Sequence, residues 1–90
     1  MSKTLFVGNL PYSMTEDDLR ALFEASGRVV SARVVIDRET HRPKGFGFVE
    51  FDAPYAADAA IAELSGRMIG GRELVVNEAR PRVFPQSGRR

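Results

Sequence analysis

The chain has 90 residues, enough for one hydrophobic core, and its 43% hydrophobic and 28% charged residues are ordinary for a folded domain. No cysteine and a single histidine exclude a disulfide framework, a thiolate metal site and an all-histidine zinc site. The apolar runs are too short to cross a membrane and the first residues lack a signal-peptide core. We therefore expect a soluble cytoplasmic protein, or a nuclear one in a eukaryote, that uses no cofactor and has no membrane partner.

The first predicted strand covers residues 4–8. Strand periodicity places Leu5 and Val7 on the inner face and Phe6 on the outer face. Asparagine and proline at 9–12 then predict a turn that ends the strand.

A helix is predicted over residues 15–26. Thr15 and Asp18 have the spacing of a capping box, in which each side chain bonds the backbone amide of the other residue. An apolar stripe follows at Leu19, Leu22 and Phe23. Gly27 is expected to end the helix in a left-handed conformation.

Two further strands are predicted over residues 29–36 and 44–51, joined by a polar hairpin loop at 37–43. If Ala32 and Val34 of the first of these strands face the core, then Ser31, Arg33 and Val35 lie on its open face.

The octapeptide Lys-Gly-Phe-Gly-Phe-Val-Glu-Phe at 44–51 decides which face of the sheet is covered. Phe46, Phe48 and Glu50 share one face, whereas the two glycines, Val49 and Phe51 share the other. The glycines should leave room for helices above the second face, so the phenylalanines should face solvent, with Lys44 at the start of the strand. The alternatives are an inverted assignment or a segment that covers both rings.

A second helix is predicted over residues 54–65, with Pro54 in its first turn and Gly66 at its end. Its apolar stripe consists of Ala57, Ala60, Ile61 and Leu64. The glycine pair at 70–71 predicts a turn into a last strand over 73–77. In that strand the inner residues are Leu74 and Val76, and the outer ones are Val75 and Asn77.

The order β-α-β-β-α-β predicts an α+β, ferredoxin-like fold with a four-stranded antiparallel sheet and two helices on one face. The other face should display Phe6, Phe46 and Phe48 together. The predicted helices hold six acidic residues and one basic residue, so they carry −5, while the rest of the chain carries 12 basic and 6 acidic residues, or +6. Such polarisation suits a polyanionic partner, and a preference for acidic helix starts does not explain the arginine excess.

The octapeptide at 44–51 and the hexapeptide Leu-Phe-Val-Gly-Asn-Leu at 5–10 resemble the two sequence motifs of the RNA recognition motif family. The chain as a whole resembles short single-domain bacterial proteins of that family. The resemblance covers about residues 3–80, so we expect a domain over residues 1–80. Beyond it, arginines lie among prolines, a serine and a glycine with no acidic residue, which predicts a basic, disordered tail over 81–90.

The resemblance also implies roles for particular residues. Phe6 and Phe48 would each stack on a base, Phe46 would lie against the sugars, and Lys44 would contact a phosphate. Asn77 and the backbone around Ala79 and Arg80 would contact base edges. Apart from the resemblance, we expect Arg33 and Arg82 to make further polar contacts. The implied partner is single-stranded RNA, with single-stranded DNA as an alternative, bound by a monomeric, non-catalytic protein that has no small-molecule substrate.

Three other interpretations stay open. A protein-binding module of the same fold would use the acidic first helix and Arg67-Met68-Ile69. This segment half resembles the Arg-x-Phe motif by which some family members bind peptides, but it lacks the phenylalanine. An enzyme is disfavoured because there is no phosphate loop, no complete dinucleotide fingerprint and no nucleophile beside His41. Finally, Val83 and Phe84 could fold back over the open face. His41 stands where the family often has glycine, and it is either a stacking residue or an exposed loop side chain.

Overall fold

The computed structural model describes residues 3–79, except for the side chain of Pro43. The elements are β1 (Thr4–Gly8), α1 (Glu16–Glu24), β2 (Val29–Ile36), β3 (Pro43–Phe51), α2 (Pro54–Leu64), β4 (Met68–Ile69), β5 (Arg72–Glu73) and β6 (Val75–Glu78). Four strands form an antiparallel sheet in the order β2-β3-β1-β6, and β4 and β5 form a separate hairpin. The predicted ferredoxin-like α+β fold is confirmed.

The core lies between one face of the sheet and the two helices. Strand alternation sends Leu5 and Val7 of β1 and Val49 and Phe51 of β3 into this layer, where all four are 0% exposed. The Phe51 ring lies 6.3 Å from the ring of Phe23 on α1. Since full burial of such a side chain contributes about 1.5–3 kcal/mol, this layer fixes which face of each strand is turned away from solvent.

The start of α1 has the predicted capping box. The Thr15 hydroxyl accepts from the Asp18 amide at 3.1 Å, and the Asp18 carboxylate accepts from the Thr15 amide at 3.2 Å. The predicted apolar stripe is also present, with Leu19 and Phe23 buried and Leu22 packed against the core. The N-terminus of α1 is thus set by local sequence alone.

Gly27 has a different role from the predicted one. It is not among the residues with positive φ, and Ala25 caps α1 in an ordinary right-handed conformation. A methyl group on Gly27 would instead collide with Cβ of Ala56 on α2. Gly27 therefore allows close packing of two elements. Gly66, which the sequence places at the end of α2, has φ +86° and so adopts the left-handed conformation instead.

The space beside Gly47 is also used differently from the prediction. A methyl group there would collide with the carbonyl oxygen of Arg33 in the neighbouring strand, not with a helix. Gly47 pairs with Val34, next to a register shift between Val34 and Ile36 in β2. The missing side chain thus lets the backbone of β2 approach β3 closely.

The predicted last strand is divided into two elements. The glycine pair at 70–71, with φ of +59° and +80°, turns the chain so that β5 pairs with β4. The sheet strand β6 begins only at Val75, after the buried Leu74, and pairs with β1. The inward and outward alternation was predicted correctly, but the small hairpin before it was not.

Candidate nucleic-acid interface

The face of the sheet opposite the helices carries a row of four side chains. Arg33 of β2 pairs with Phe48 of β3, Phe48 pairs with Phe6 of β1, and Phe6 pairs with Asn77 of β6. Paired residues on neighbouring strands project to the same face. The row therefore crosses the whole sheet with two aromatic rings at its centre and a polar side chain at each edge.

The third ring, Phe46, completes a cluster with the other two. Its centroid lies 5.6 Å from that of Phe6 and 6.3 Å from that of Phe48, and the centroids of Phe6 and Phe48 are 6.0 Å apart. All three side chains are half-buried rather than buried, and none belongs to the core. Within residues 3–79 the rings brace one another without a helix above them, so the inverted assignment is wrong.

Gly8 explains how Phe6 fits into this cluster. Gly8 pairs with Phe46 on the neighbouring strand, and a methyl group added to it would lie 3.0 Å from the Phe6 ring. The ring of Phe6 therefore leans over bare backbone, towards Phe46, instead of standing upright between two side chains. Val75 of β6, opposite Gly8 and 41% exposed, extends the apolar surface at this end.

Those predicted polar contact residues that the structure describes lie around this cluster. Lys44 and Arg33 are exposed on β3 and β2, and Asn77 is exposed on β6. The amide of Ala79 donates to the Thr4 carbonyl at 3.0 Å, which keeps the chain beside β1 after β6 ends. Arg80 and Arg82 lie outside the described residues, as do Val83 and Phe84 of the tail that could cover the sheet.

The loop between β2 and β3 is held by its own hydrogen bonds. The Asp37 carboxylate accepts from the amides of Glu39 at 2.8 Å and Thr40 at 3.3 Å, and these bonds lower the pKa of Asp37 below its usual value. His41 has φ +61°, its amide donates to the Asp37 carbonyl at 2.8 Å, and its side chain is exposed. His41 is therefore in the left-handed conformation, which histidine adopts more readily than most residues, in the loop that precedes Lys44.

The sequence analysis did not predict a set of polar contacts between the loop after β1 and the β4–β5 hairpin. Asn9, at φ +59°, accepts from two guanidinium nitrogens of Arg72 at 3.1 and 2.9 Å and donates to the Glu73 carbonyl at 2.7 Å. Arg72 also lies over the ring of Tyr12, with its Cζ 5.2 Å from the centroid. These contacts fasten the loop after β1 to the β4–β5 hairpin and leave Tyr12 62% exposed. Residues more than sixty positions apart meet here, so no local pattern announces the cluster.

A shallow depression of about 340 Å³ lies beside the aromatic cluster, on the same face of the sheet. Its lining residues are Thr4, Ser31, Arg33, Phe48 and Glu50. The sequence placed Ser31 and Glu50 on the open face but gave neither a role. The sequence did contain one sign of a role for Glu50, since it is an acidic residue on a face where Arg33 and Lys44 are basic.

The charges are divided between the two layers. The six acidic residues of the predicted helices lie on α1 and α2, whereas Arg33 and Lys44 lie on the sheet. The Glu16 carboxylate nevertheless reaches a strand, where it accepts from the Val34 amide of β2 at 3.2 Å. Neither helix in the described part has the length and apolar character needed to cross a membrane. The same residues contain no group of three or more side chains suited to hold a metal ion.

The segment Arg67-Met68-Ile69, considered above for protein binding, is only partly exposed. Met68 and Ile69 form β4, where Met68 is 63% exposed while Ile69 packs against the core. Arg67 is exposed before them. This segment therefore offers a single apolar side chain at the surface, in contrast to three clustered rings on the sheet.

Comparison with known proteins agrees with this arrangement. The family model for the RNA recognition motif matches residues 5–75. A Nostoc sp. protein named "Putative RNA-binding protein RbpE" is 51% identical over 79 residues, which are 88% of this chain and 80% of that protein. Glycine-rich RNA-binding protein 3, mitochondrial, of Arabidopsis thaliana is 51% identical over 82 residues, 91% of this chain, but the chain spans only 26% of its length.

A solved structure shows the same fold with nucleic acid present. The Sxl-lethal protein/RNA complex superposes with a TM-score of 0.85 at 34% identity, over 90% of this chain and 48% of that one. Together the family match and these relatives support RNA binding in general, and they are RNA-binding proteins rather than enzymes. The relatives include a bacterial and a mitochondrial protein, so the predicted cytoplasmic location stays a prediction.

Proposed function

Because the chain belongs to the RNA recognition motif family, we propose that it binds a short single-stranded RNA across the helix-free face of its sheet. One observation carries this proposal. Phe6, Phe46 and Phe48 form a cluster of half-exposed rings whose centroids are 5.6–6.3 Å apart, at the centre of a face that no described helix covers.

Stacking explains why rings in this position favour single strands. The bases of a single strand are free to turn onto an aromatic side chain, and each stack contributes about 1–3 kcal/mol. In our proposal Phe6 and Phe48, opposite each other on adjacent strands, each hold one base, and Phe46 contacts the sugars between them. Two stacks and a few phosphate contacts, less the cost of ordering the strand, give an affinity in roughly the micromolar range.

Polar groups at the rim would orient the strand. Lys44 would neutralise a phosphate, while Arg33 and Asn77, at opposite ends of the central row, would reach the bases or backbone. The chain near Ala79, followed by Arg80 and Arg82, would add contacts where it leaves the sheet. We further propose a monomer with its domain over residues 1–80 and a basic tail over 81–90. Single-stranded DNA is the alternative ligand, since stacking does not sense the 2′-hydroxyl.

The salt dependence of binding should reveal how many phosphates are contacted. With about three phosphates neutralised, a plot of log K against log salt concentration should have a slope near −2 for a single strand. The slope can be measured by fluorescence anisotropy with a labelled RNA over a range of salt concentrations. Lys44→Gln should make it less steep by about 0.7.

Arg67→Gln is the matched control, since it removes an exposed positive charge just after α2 and away from the aromatic cluster. It should leave the slope unchanged. A slope that responds to Arg67 and not to Lys44 would contradict the proposed path of the RNA backbone.

A further inference from the structure

Glu50 lies beside Phe48 on the open face of the sheet. The two residues are alternate positions of β3 and project to the same face, so their Cα atoms are separated by about 6.8 Å along the strand. Glu50 pairs with Ser31 of β2 on one side and with Thr4 of β1 on the other. Its carboxylate thus helps to line the depression of about 340 Å³ beside the Phe48 ring.

The structure gives this carboxylate no function within the fold. In the described part of the chain, Glu50 forms neither a side-chain hydrogen bond nor an ion pair, and Arg33 in the same depression does not pair with it. The Ser31 hydroxyl likewise has no hydrogen-bond partner among residues 3–79. Both side chains are half-buried, which leaves acceptors and a donor directed at the space above the sheet.

A carboxylate is also unfavourable on a face that meets phosphates, because the like charges repel. Its oxygens accept hydrogen bonds and cannot donate them, so the groups they suit are the N–H groups of a base. Single-stranded bases expose their Watson–Crick edges, and these edges differ in the order of their donors and acceptors. Guanine presents two adjacent donors, the N1–H and the 2-amino group, followed by the O6 acceptor.

We infer that Glu50 and Ser31 make the Phe48 position selective for guanine. The two carboxylate oxygens accept from N1–H and the 2-amino group, and the Ser31 hydroxyl donates to O6. Adenine and cytosine each set a ring-nitrogen acceptor beside their amino group, and uracil sets a carbonyl on each side of its only N–H. Each of these bases therefore directs at least one acceptor at the carboxylate.

This inference rests on the proposed RNA binding and adds the identity of one base to it. The test uses short single-stranded RNAs that carry one variable nucleotide within a run of uridines. The wild-type chain should bind the guanosine RNA about tenfold or more tightly than the adenosine RNA, as expected for a good bidentate contact. Inosine, which lacks the 2-amino group, should lose part of that preference.

Glu50→Gln keeps the size of the side chain but replaces one acceptor with a donor, so guanosine and adenosine RNAs should then bind within about threefold of each other. Glu78→Gln is the control for charge, because Glu78 pairs with the inward-facing Leu5 and so projects to the other face of the sheet. It should retain the guanosine preference.

Two results would overturn the inference while leaving the proposed RNA binding in place. One is equal binding of all four variable nucleotides by the wild-type chain. The other is a guanosine preference that persists in Glu50→Gln. Failure of every RNA to bind would overturn the proposed function and this inference together.

Discussion

Replacing Phe6 and Phe48 together with alanine should weaken binding of single-stranded RNA at least thirtyfold. Each stack contributes about 1–3 kcal/mol, so the two together account for about 2–6 kcal/mol. The fold should persist, since both rings are half-exposed on the helix-free face and neither belongs to the core. Fluorescence anisotropy with a labelled RNA measures the first effect, and circular dichroism with thermal unfolding measures the second.

Tyr55→Ala is the control for this double variant, because it removes an exposed aromatic ring elsewhere on the protein. Tyr55 lies on α2, on the opposite layer, and is 76% exposed. This variant should bind RNA as the wild type does. A folded double variant of Phe6 and Phe48 with wild-type affinity would show that the rings do not carry the binding.

Gly47→Ala should be the most damaging small substitution in the sheet. Its methyl group would collide with the Arg33 carbonyl oxygen, which is backbone and cannot rotate away. Overpacking of this kind costs about 1–3 kcal/mol and sometimes more, so the melting temperature should fall by about 4–24 °C. RNA binding should weaken as well, because the same contact sets the spacing between Arg33 and the rings on β3.

Gly71→Ala separates this collision from the general cost of replacing glycine. Gly71 has φ +80° but no atom within 4 Å of an added Cβ, so only backbone strain of about 1–2 kcal/mol opposes the change. Thermal unfolding should show a smaller loss than in Gly47→Ala. Equal losses would mean that the close approach of β2 to β3 at Gly47 is not a packing constraint.

The sequence correctly predicted which face of the sheet packs against the helices, because strand alternation and the apolar stripes of the helices agree. Leu5 and Val7 belong to the core, as do Val49 and Phe51, so Phe6 and Phe48 had only the other face to occupy. The capping box at Thr15 and the end of α2 at Gly66 were predicted equally well, since each depends on residues a few positions apart.

Features that depend on contacts between distant segments escaped prediction. Gly27 looked like a helix stop, and only the position of Ala56 on the other helix shows that it is a packing site. The hydrogen bonds of Arg72 to Asn9 join segments whose sequences have no common pattern. The depression around Glu50 likewise arises from three strands, and periodicity alone gave only the face on which this residue lies.

The division of charge between the layers adds a constraint on how RNA approaches. The acidic residues in the first turn of α1 are Glu16, Asp17 and Asp18, and they suit the positive end of the helix dipole. Although the Glu16 carboxylate reaches β2 and accepts from a backbone amide there, Asp17 and Asp18 place negative charge on the layer opposite the aromatic cluster. A polyanion is therefore repelled by the helices and directed to the sheet, where Lys44 and Arg33 are exposed.

The central claim is that bases lie on the rings of the open face, and nuclear magnetic resonance tests it most directly. In a complex of the full chain with a short uridine-rich RNA containing one guanosine, nuclear Overhauser effects should connect base protons to the ring protons of Phe6 and Phe48. The amides of α1 and α2 should shift little. Base contacts confined to the helices, with the three phenylalanine rings unperturbed, would contradict the account.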